Sequence, residues 1–239
     1  MGEAREHSQE RRRELLQKVP LFSGLAPERL EALAGATTTR RLASREPLFH
    51  RGDAAAQVYV VASGRLKVVA TSKEGGDMVL AILDEGEVVG ELPMLTGGRR
   101  TASVVALEPC ELVALARRDF LRFLREQPEA AVELLVVLAE RLVRISEFAE
   151  DTLFLAVPAR LAKKLLHLAE RFGSEAGSGV RIGLRLSQSE LADLVGTTRE
   201  SVNKQLRAWS GDGILRMERG ELTILDPARL EHFAGLVAR

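Results

Sequence analysis

Cysteine is nearly absent from this 239-residue chain. Cys110 stands alone, so an intramolecular disulfide is excluded, and no Cys/His cluster has metal-ligand spacing. A reducing cytoplasm fits that usage. Cys110 follows a turn proline and opens a strand, which marks it as a small core residue. His7, His50, His167 and His232 are scattered and share no ligand spacing. Aromatic residues make up only 4% of the chain, and the one tryptophan, Trp209, reads as a core anchor. No apolar run is long enough to span a bilayer, which takes about 20 residues. Residues 1–18 are heavily charged and lack the apolar stretch of a signal peptide. They read as a solvated helix or a frayed arm. Enzyme signatures are missing too. There is no metal-ligand cluster and no nucleophile–base motif, and GELPMLTGG lacks the Lys-Ser/Thr ending of a phosphate-binding P-loop. The chain is therefore not expected to be an enzyme.

Net charge is also missing, since 34 basic residues balance 34 acidic ones. The balance hides an asymmetry. Residues 158–239 hold 13 Lys and Arg against 10 Asp and Glu, and residues 1–157 hold 21 against 24. The C-terminal third has the mild basic bias of a nucleic-acid binder.

What is present is core-forming material, with 46% hydrophobic residues. Residues 48–115 alternate short apolar segments (58–61, 66–70, 78–83, 102–106 and 112–115) with glycine and proline turns. That rhythm predicts an antiparallel β-roll, sandwich or barrel. Asp119 is placed to cap a short helix that ends near Pro128. A long helix follows from Pro128, a favoured first-turn residue. Its seam of Leu135, Leu138, Leu142, Ile145, Ala149, Thr152 and Ala156 steps by three and four residues, the heptad pattern of a dimeric coiled coil. Val132, Leu134, Val136, Val137 and Phe148 lie off that line and imply a second face for the helix's own domain. The alternative is a helix packed only on its own domain.

The chain therefore divides into an N-terminal β-roll domain (1–127), a long helix read as a dimer seam (128–157) and a small C-terminal domain (158–239). The last begins with a helix over 159–172, followed by a Gly/Ser-rich linker over 173–179. It ends in a hairpin with strands 214–217 and 222–225 and Arg219-Gly220 in the turn. The overall class is α+β.

Between linker and hairpin lies LSQSELADLVGTTRESVNKQLRAW. Ser187 and Glu190 form a capping box, Gly196 breaks the first helix, and Thr197 or Thr198 caps the second. Two short helices on a tight glycine turn make a winged helix-turn-helix, whose second helix enters the major groove. Arg199 can donate twice to guanine, Glu200 can accept from cytosine, and Lys204 lies on the same face. Ser187, Gln188, Thr198 and Ser201 are candidate phosphate contacts. A solvated Arg-Glu face on a helical hairpin is the plain alternative.

Gly90-Glu91-Leu92, followed by Arg100-Thr101-Ala102, is the strongest N-terminal signal. A Gly-Glu turn exposes backbone N–H groups to phosphate oxygens. Arg100 adds a charged fork, and Glu91 can accept from a ribose hydroxyl. A mutual Glu91–Arg100 salt bridge is the structural alternative.

Through VPLFSGLAPERLEALA, LFHRGDAAAQVYVVASGRLKVV, GELPMLTGGRRTASV and GTTRESVNKQL, nearly the whole chain resembles the CRP/FNR regulators. The resemblance implies a cytoplasmic homodimeric transcription regulator that binds double-stranded DNA at a palindromic TGTGA-like site. It implies activation through RNA polymerase, or repression by blocking a promoter. Arg199 and Glu200 would read the half-site, with Lys204 where the best-known members have Arg. A cyclic nucleotide effector would sit on Gly90, Glu91, Leu92, Arg100, Thr101 and Ser146, with no obligatory cofactor. Cyclic-AMP responders carry a Thr-Ser pair on the long helix to read adenine, and here that pair falls on Ile145-Ser146. Isoleucine cannot bond an adenine amino group. Cyclic AMP, cyclic GMP, cyclic-di-GMP and no ligand at all therefore stay open, as does a constitutive regulator of the same fold. A subunit that binds a protein partner in place of DNA is disfavoured by the Arg199–Lys204 chemistry.

Overall fold

The turn rhythm folds into two four-stranded antiparallel sheets. The computed structural model describes residues 2–72, 75–177, 179–218 and 220–236, with side chains from residue 9 onward. Three helices come first: α1 (Gly2–Gln17), α2 (Pro20–Ser23) and α3 (Pro27–Gly35). The strands are β1 (Thr37–Leu42), β2 (Pro47–Phe49), β3 (Gln57–Ser63), β4 (Leu66–Thr71), β5 (Asp77–Leu83), β6 (Val88–Val89), β7 (Ser103–Ala106) and β8 (Cys110–Ala116), with α4 (Leu92–Thr96) between β6 and β7. Their order is β1-β8-β3-β6 in one sheet and β2-β7-β4-β5 in the other. Strand alternation sorts the side chains. Val61, Leu66, Leu83, Val104, Cys110 and Leu112 share the cluster between the sheets. Val58, Val60, Val113 and Leu115 face the other way, into a cluster with the helices.

That second cluster takes in Leu16, Phe22 and Leu30 from α1–α3. The N-terminal segment is thus the expected helix, not a frayed arm, and from residue 9 onward it is docked on the core through Leu16. Arg11 pairs with Glu111, and Arg12 Nε donates to Ala34 O and Thr37 Oγ1 at 3.2 Å each. Next come α5 (Arg117–Glu126) and the long α6 (Pro128–Phe154). Asp119 does not cap α5. Ala116 stands at the cap, and Asp119 lies within the first turn, paired to Arg122 at 3.0 Å.

The chain divides into two compact units, Met1–Val143 and Arg144–Arg239, with the division inside α6. The C-terminal unit continues with α7 (Val157–Phe172), β9 (Gly173–Ala176), β10 (Gly179–Ile182), α8 (Gln188–Val195), α9 (Arg199–Gly211), β11 (Leu215–Glu218), β12 (Glu221–Ile224) and α10 (Pro227–Ala234). The expected Gly/Ser linker is mostly strand. β9 and β10 pair with each other, and β10 pairs with β12, in a sheet ordered β11-β12-β10-β9. Arg219, placed in the hairpin turn, lies outside the described residues. Gly220 beside it has φ +82°. Leu161, Leu165, Leu168, Leu191, Leu206 and Trp209 form much of the buried interior, so Trp209 is the anchor expected of it. Among the described residues no helix is long and apolar enough to cross a membrane.

The seam residues on α6 separate into two groups. Leu135, Leu142, Ile145, Ala149 and Thr152 are exposed. Leu138 is half-buried and packs against its own core, beside the buried Leu134. Val132 and Val136, expected to face the home domain, are exposed instead. Two consecutive turns of α6 thus spend Leu134 and Leu138 inward and leave an apolar stripe outward.

Candidate ligand site and DNA-reading helix

Gly90 ends the turn after β6 with φ +82°, a left-handed conformation that favours glycine. A Cβ there would stand 2.3 Å from Arg100 Nη1. Gly90→Ala should therefore destabilise twice over, through backbone strain of about 1–2 kcal/mol and through displacement of Arg100. The expected signature is a melting temperature lower by roughly 3–8 °C in calorimetry.

Arg100 arrives at the same point from the segment between α4 and β7. It is only 4% exposed. Nη1 donates to Gly90 O at 3.0 Å and Nη2 to Gln57 O at 2.6 Å. The guanidinium carbon lies 4.0 Å from the centroid of the Phe49 ring. Nε is buried without a partner. No carboxylate pairs with Arg100 among the described residues. Burial pushes its pKa down, and Tyr59, Glu91 and Asp53 oppose that through space. A desolvated cation with carbonyl partners, an idle N–H and a glycine cradle is matched to an anionic group.

Glu91 does not pair with Arg100, so the mutual salt bridge is absent. Its partner is Arg141 of α6, whose Nη1 donates to Glu91 Oε1 at 2.7 Å. Arg141 Nη2 also donates to Val88 O, and its Nε is buried without a partner. Glu91 is 2% exposed. Arg141 carries no signal in the sequence, because its partner stands 50 residues away. Leu92, the first residue of α4, and Thr101, next to Arg100, are both exposed. Ser146 is an exposed residue of α6 in the C-terminal unit.

The helix-turn-helix follows its local code. Ser187 Oγ accepts from Glu190 N at 3.2 Å, and Glu190 Oε2 accepts from Ser187 N at 2.9 Å, so the capping box is complete. Gly196 ends α8 with φ +66°. Thr198 caps α9, accepting from Ser201 N at 3.2 Å, and shares a 3.0 Å hydroxyl contact with Ser201. Gln188 Nε2 donates to Asn203 Oδ1 at 3.5 Å. All four candidate phosphate contacts therefore also hold the motif together. Arg199, Glu200 and Lys204 differ. They are exposed, with no ion pair or side-chain hydrogen bond among the described residues. Val202, Leu206 and Trp209 anchor the opposite face. The arrangement presents two cations and one carboxylate, unspent, at the start of a firmly seated helix.

Cys110 is buried, its thiol pKa raised by burial. Among the described residues no group of three or more His, Cys, Asp and Glu could hold a metal ion.

Residues 39–127 match the cyclic nucleotide-binding domain family, and residues 159–233 match the Crp-like helix-turn-helix domain. The chain is 33% identical over 217 residues to the CRP-like cAMP-activated global transcriptional regulator of Mycobacterium tuberculosis, covering 91% of this chain and 97% of the relative. It is 37% identical over 216 residues to the cyclic AMP receptor protein of Thermus thermophilus, covering 90% and 96%. Among solved structures, the c-di-GMP responsive global regulator CLP of Xanthomonas campestris is similar at a TM-score of 0.70 and 27% identity, covering 80% of this chain and 94% of that one.

Proposed function

This chain belongs to the CRP/FNR family of transcriptional regulators, and on that premise we propose that it is a cytoplasmic homodimer gated by a cyclic nucleotide, cyclic AMP first. Its domains and relatives are those of DNA-binding regulators and not of enzymes. The observation that carries the gated reading is Arg100, a buried cation beside the Gly90 turn with no acidic partner among the described residues. It would take the cyclic phosphate. Glu91 would accept from the ribose, at the carboxylate Arg141 now holds. A ligand that competes for Glu91 acts directly on a residue of α6. The exposed stripe of that helix supports its use as the dimer seam.

Arg199, Glu200 and Lys204 would read each half of a palindromic TGTGA-like site on double-stranded DNA. Contact with RNA polymerase would follow at the promoter. Arg199→Ala should weaken specific binding by about 1–3 kcal/mol and relax the preference at one base pair, with little change on nonspecific DNA. A binding-site selection on the variant reads both effects.

A second reading, regulation independent of nucleotide, is favoured by Ile145, which has no group to bond adenine. Fluorescence anisotropy of a TGTGA-N6-TCACA duplex at fixed salt separates the two, run without ligand and with cyclic AMP, cyclic GMP or cyclic-di-GMP. An affinity gain of about tenfold with one nucleotide supports gating and names the effector. Tight binding indifferent to all three supports the second reading. No binding under any condition defeats the half-site assignment.

A further inference from the structure

One side chain in the C-terminal unit closes four carbonyls from two helix ends. Arg160, near the start of α7, donates through Nη1 to Leu155 O at 3.0 Å and to Thr152 O at 3.5 Å. Through Nε it donates to Val195 O at 3.2 Å, and through Nη2 to Gly196 O at 3.2 Å. Thr152 lies in the last turn of α6 and Leu155 directly follows it, while Val195 ends α8 and Gly196 is its C-cap. The last carbonyls of a helix lack intrahelical partners and carry the negative end of the helix dipole, roughly half a charge. The guanidinium therefore meets two such ends at once. Its planar fork suits that task, and a lysine ammonium could not serve both directions in fixed geometry. The platform is firm, since the neighbouring Leu161, Ala162 and Leu165 are fully buried.

We propose that Arg160 is a positioning residue that sets the pitch of the helix-turn-helix against the end of the long helix. The path is short. Gly196 begins the turn that leads through Thr198 into α9, so a shift of Val195 and Gly196 moves the reading helix. The inference rests on the dimer reading above. Two recognition helices must enter half-sites about 34 Å apart, and one base pair changes that distance by about 3.4 Å. A loosened reading head would still recognise each half-site but would tolerate the wrong spacing.

The test measures affinity for a series of duplexes whose half-sites are separated by four to eight base pairs. Wild type, Arg160→Met and Arg160→Lys are compared, with a base-by-base profile of one half-site for each. Methionine keeps much of the aliphatic stem, and circular dichroism with a cooperative melt checks folding. Wild type should favour one spacing by about tenfold over its neighbours, and both variants should fall below about threefold with the base profile unchanged. Variants that keep the wild-type spacing preference overturn the proposal alone. So do variants that lose affinity equally at every spacing, which is what a merely structural role would do. A wild type without any spacing preference overturns the dimer reading and this inference together.

Discussion

Arg100→Ala should abolish the nucleotide response while leaving a folded protein that still binds DNA weakly. The guanidinium is already desolvated and already oriented by Gly90 O, Gln57 O and the Phe49 ring. Phosphate would therefore meet a preorganised cation whose dehydration has been met on folding. Truncating one partner of a buried charged pair costs about 2–5 kcal/mol, so nucleotide affinity should fall by roughly 30- to several thousand-fold. Folding should suffer less, because no carboxylate among the described residues is orphaned when Arg100 goes. The losses are two hydrogen bonds to carbonyls and a stacking contact. Arg100→Lys keeps a charge but not the fork, and should bind between alanine and wild type. Isothermal titration reads the affinity, and DNA anisotropy reads the coupling. If Arg100→Ala still takes up nucleotide within about threefold of wild type, Arg100 is not the phosphate anchor.

The parts of this molecule that are legible in its sequence are those whose signals are local. The helix-turn-helix is the clearest. Ser187 with Glu190, Gly196 at positive φ and Thr198 at the second cap each act within a few residues, and each stands where the sequence puts it. The roll is legible from its turns, yet β1 is not. TTTRRL carries one large apolar residue, and its strand form comes from pairing with β8 some 70 residues on. β9 and β10 hide for the same reason, since residues 173–179 resemble a linker until β12 supplies a partner. The final helix, α10, does have local signals in the Asp226 cap, Pro227 in the first turn and Gly235 at the end. Arg141 and Arg160 have no such signal. Each is an ordinary helical arginine in sequence, and its role exists only where the fold brings a distant carboxylate or helix end to it. Glu91–Arg100 is the pairing suggested by proximity along the chain, and the fold chose a residue 50 positions away.

The same helix that supplies Arg141 carries the other large effect. Leu135 and Leu142 are 64% and 66% exposed within one chain, one heptad apart. Val132, Val136, Val143 and Ile145 extend the stripe. Burying one leucine is worth about 1.5–3 kcal/mol, and in a two-fold interface each residue counts on both protomers. Leu135→Glu with Leu142→Glu therefore removes four apolar contacts from the assembly and sets like charges against one another. Dimer affinity should fall by at least about a thousandfold, which light scattering at micromolar concentration reads as a monomer. The fold of each chain should persist, because neither side chain belongs to a buried cluster. The consequence for DNA follows from geometry. In a dimer the second recognition helix meets its half-site at an effective concentration in the millimolar range, and avidity adds about 10²–10⁴ to affinity. A monomer forfeits that gain while Arg199, Glu200 and Lys204 are untouched. The double variant should bind full and half sites with nearly equal, weak affinity. A variant that remains dimeric, or a monomer that keeps full-site affinity, would remove the exposed stripe of α6 from the assembly and require the two half-sites to be joined through another surface.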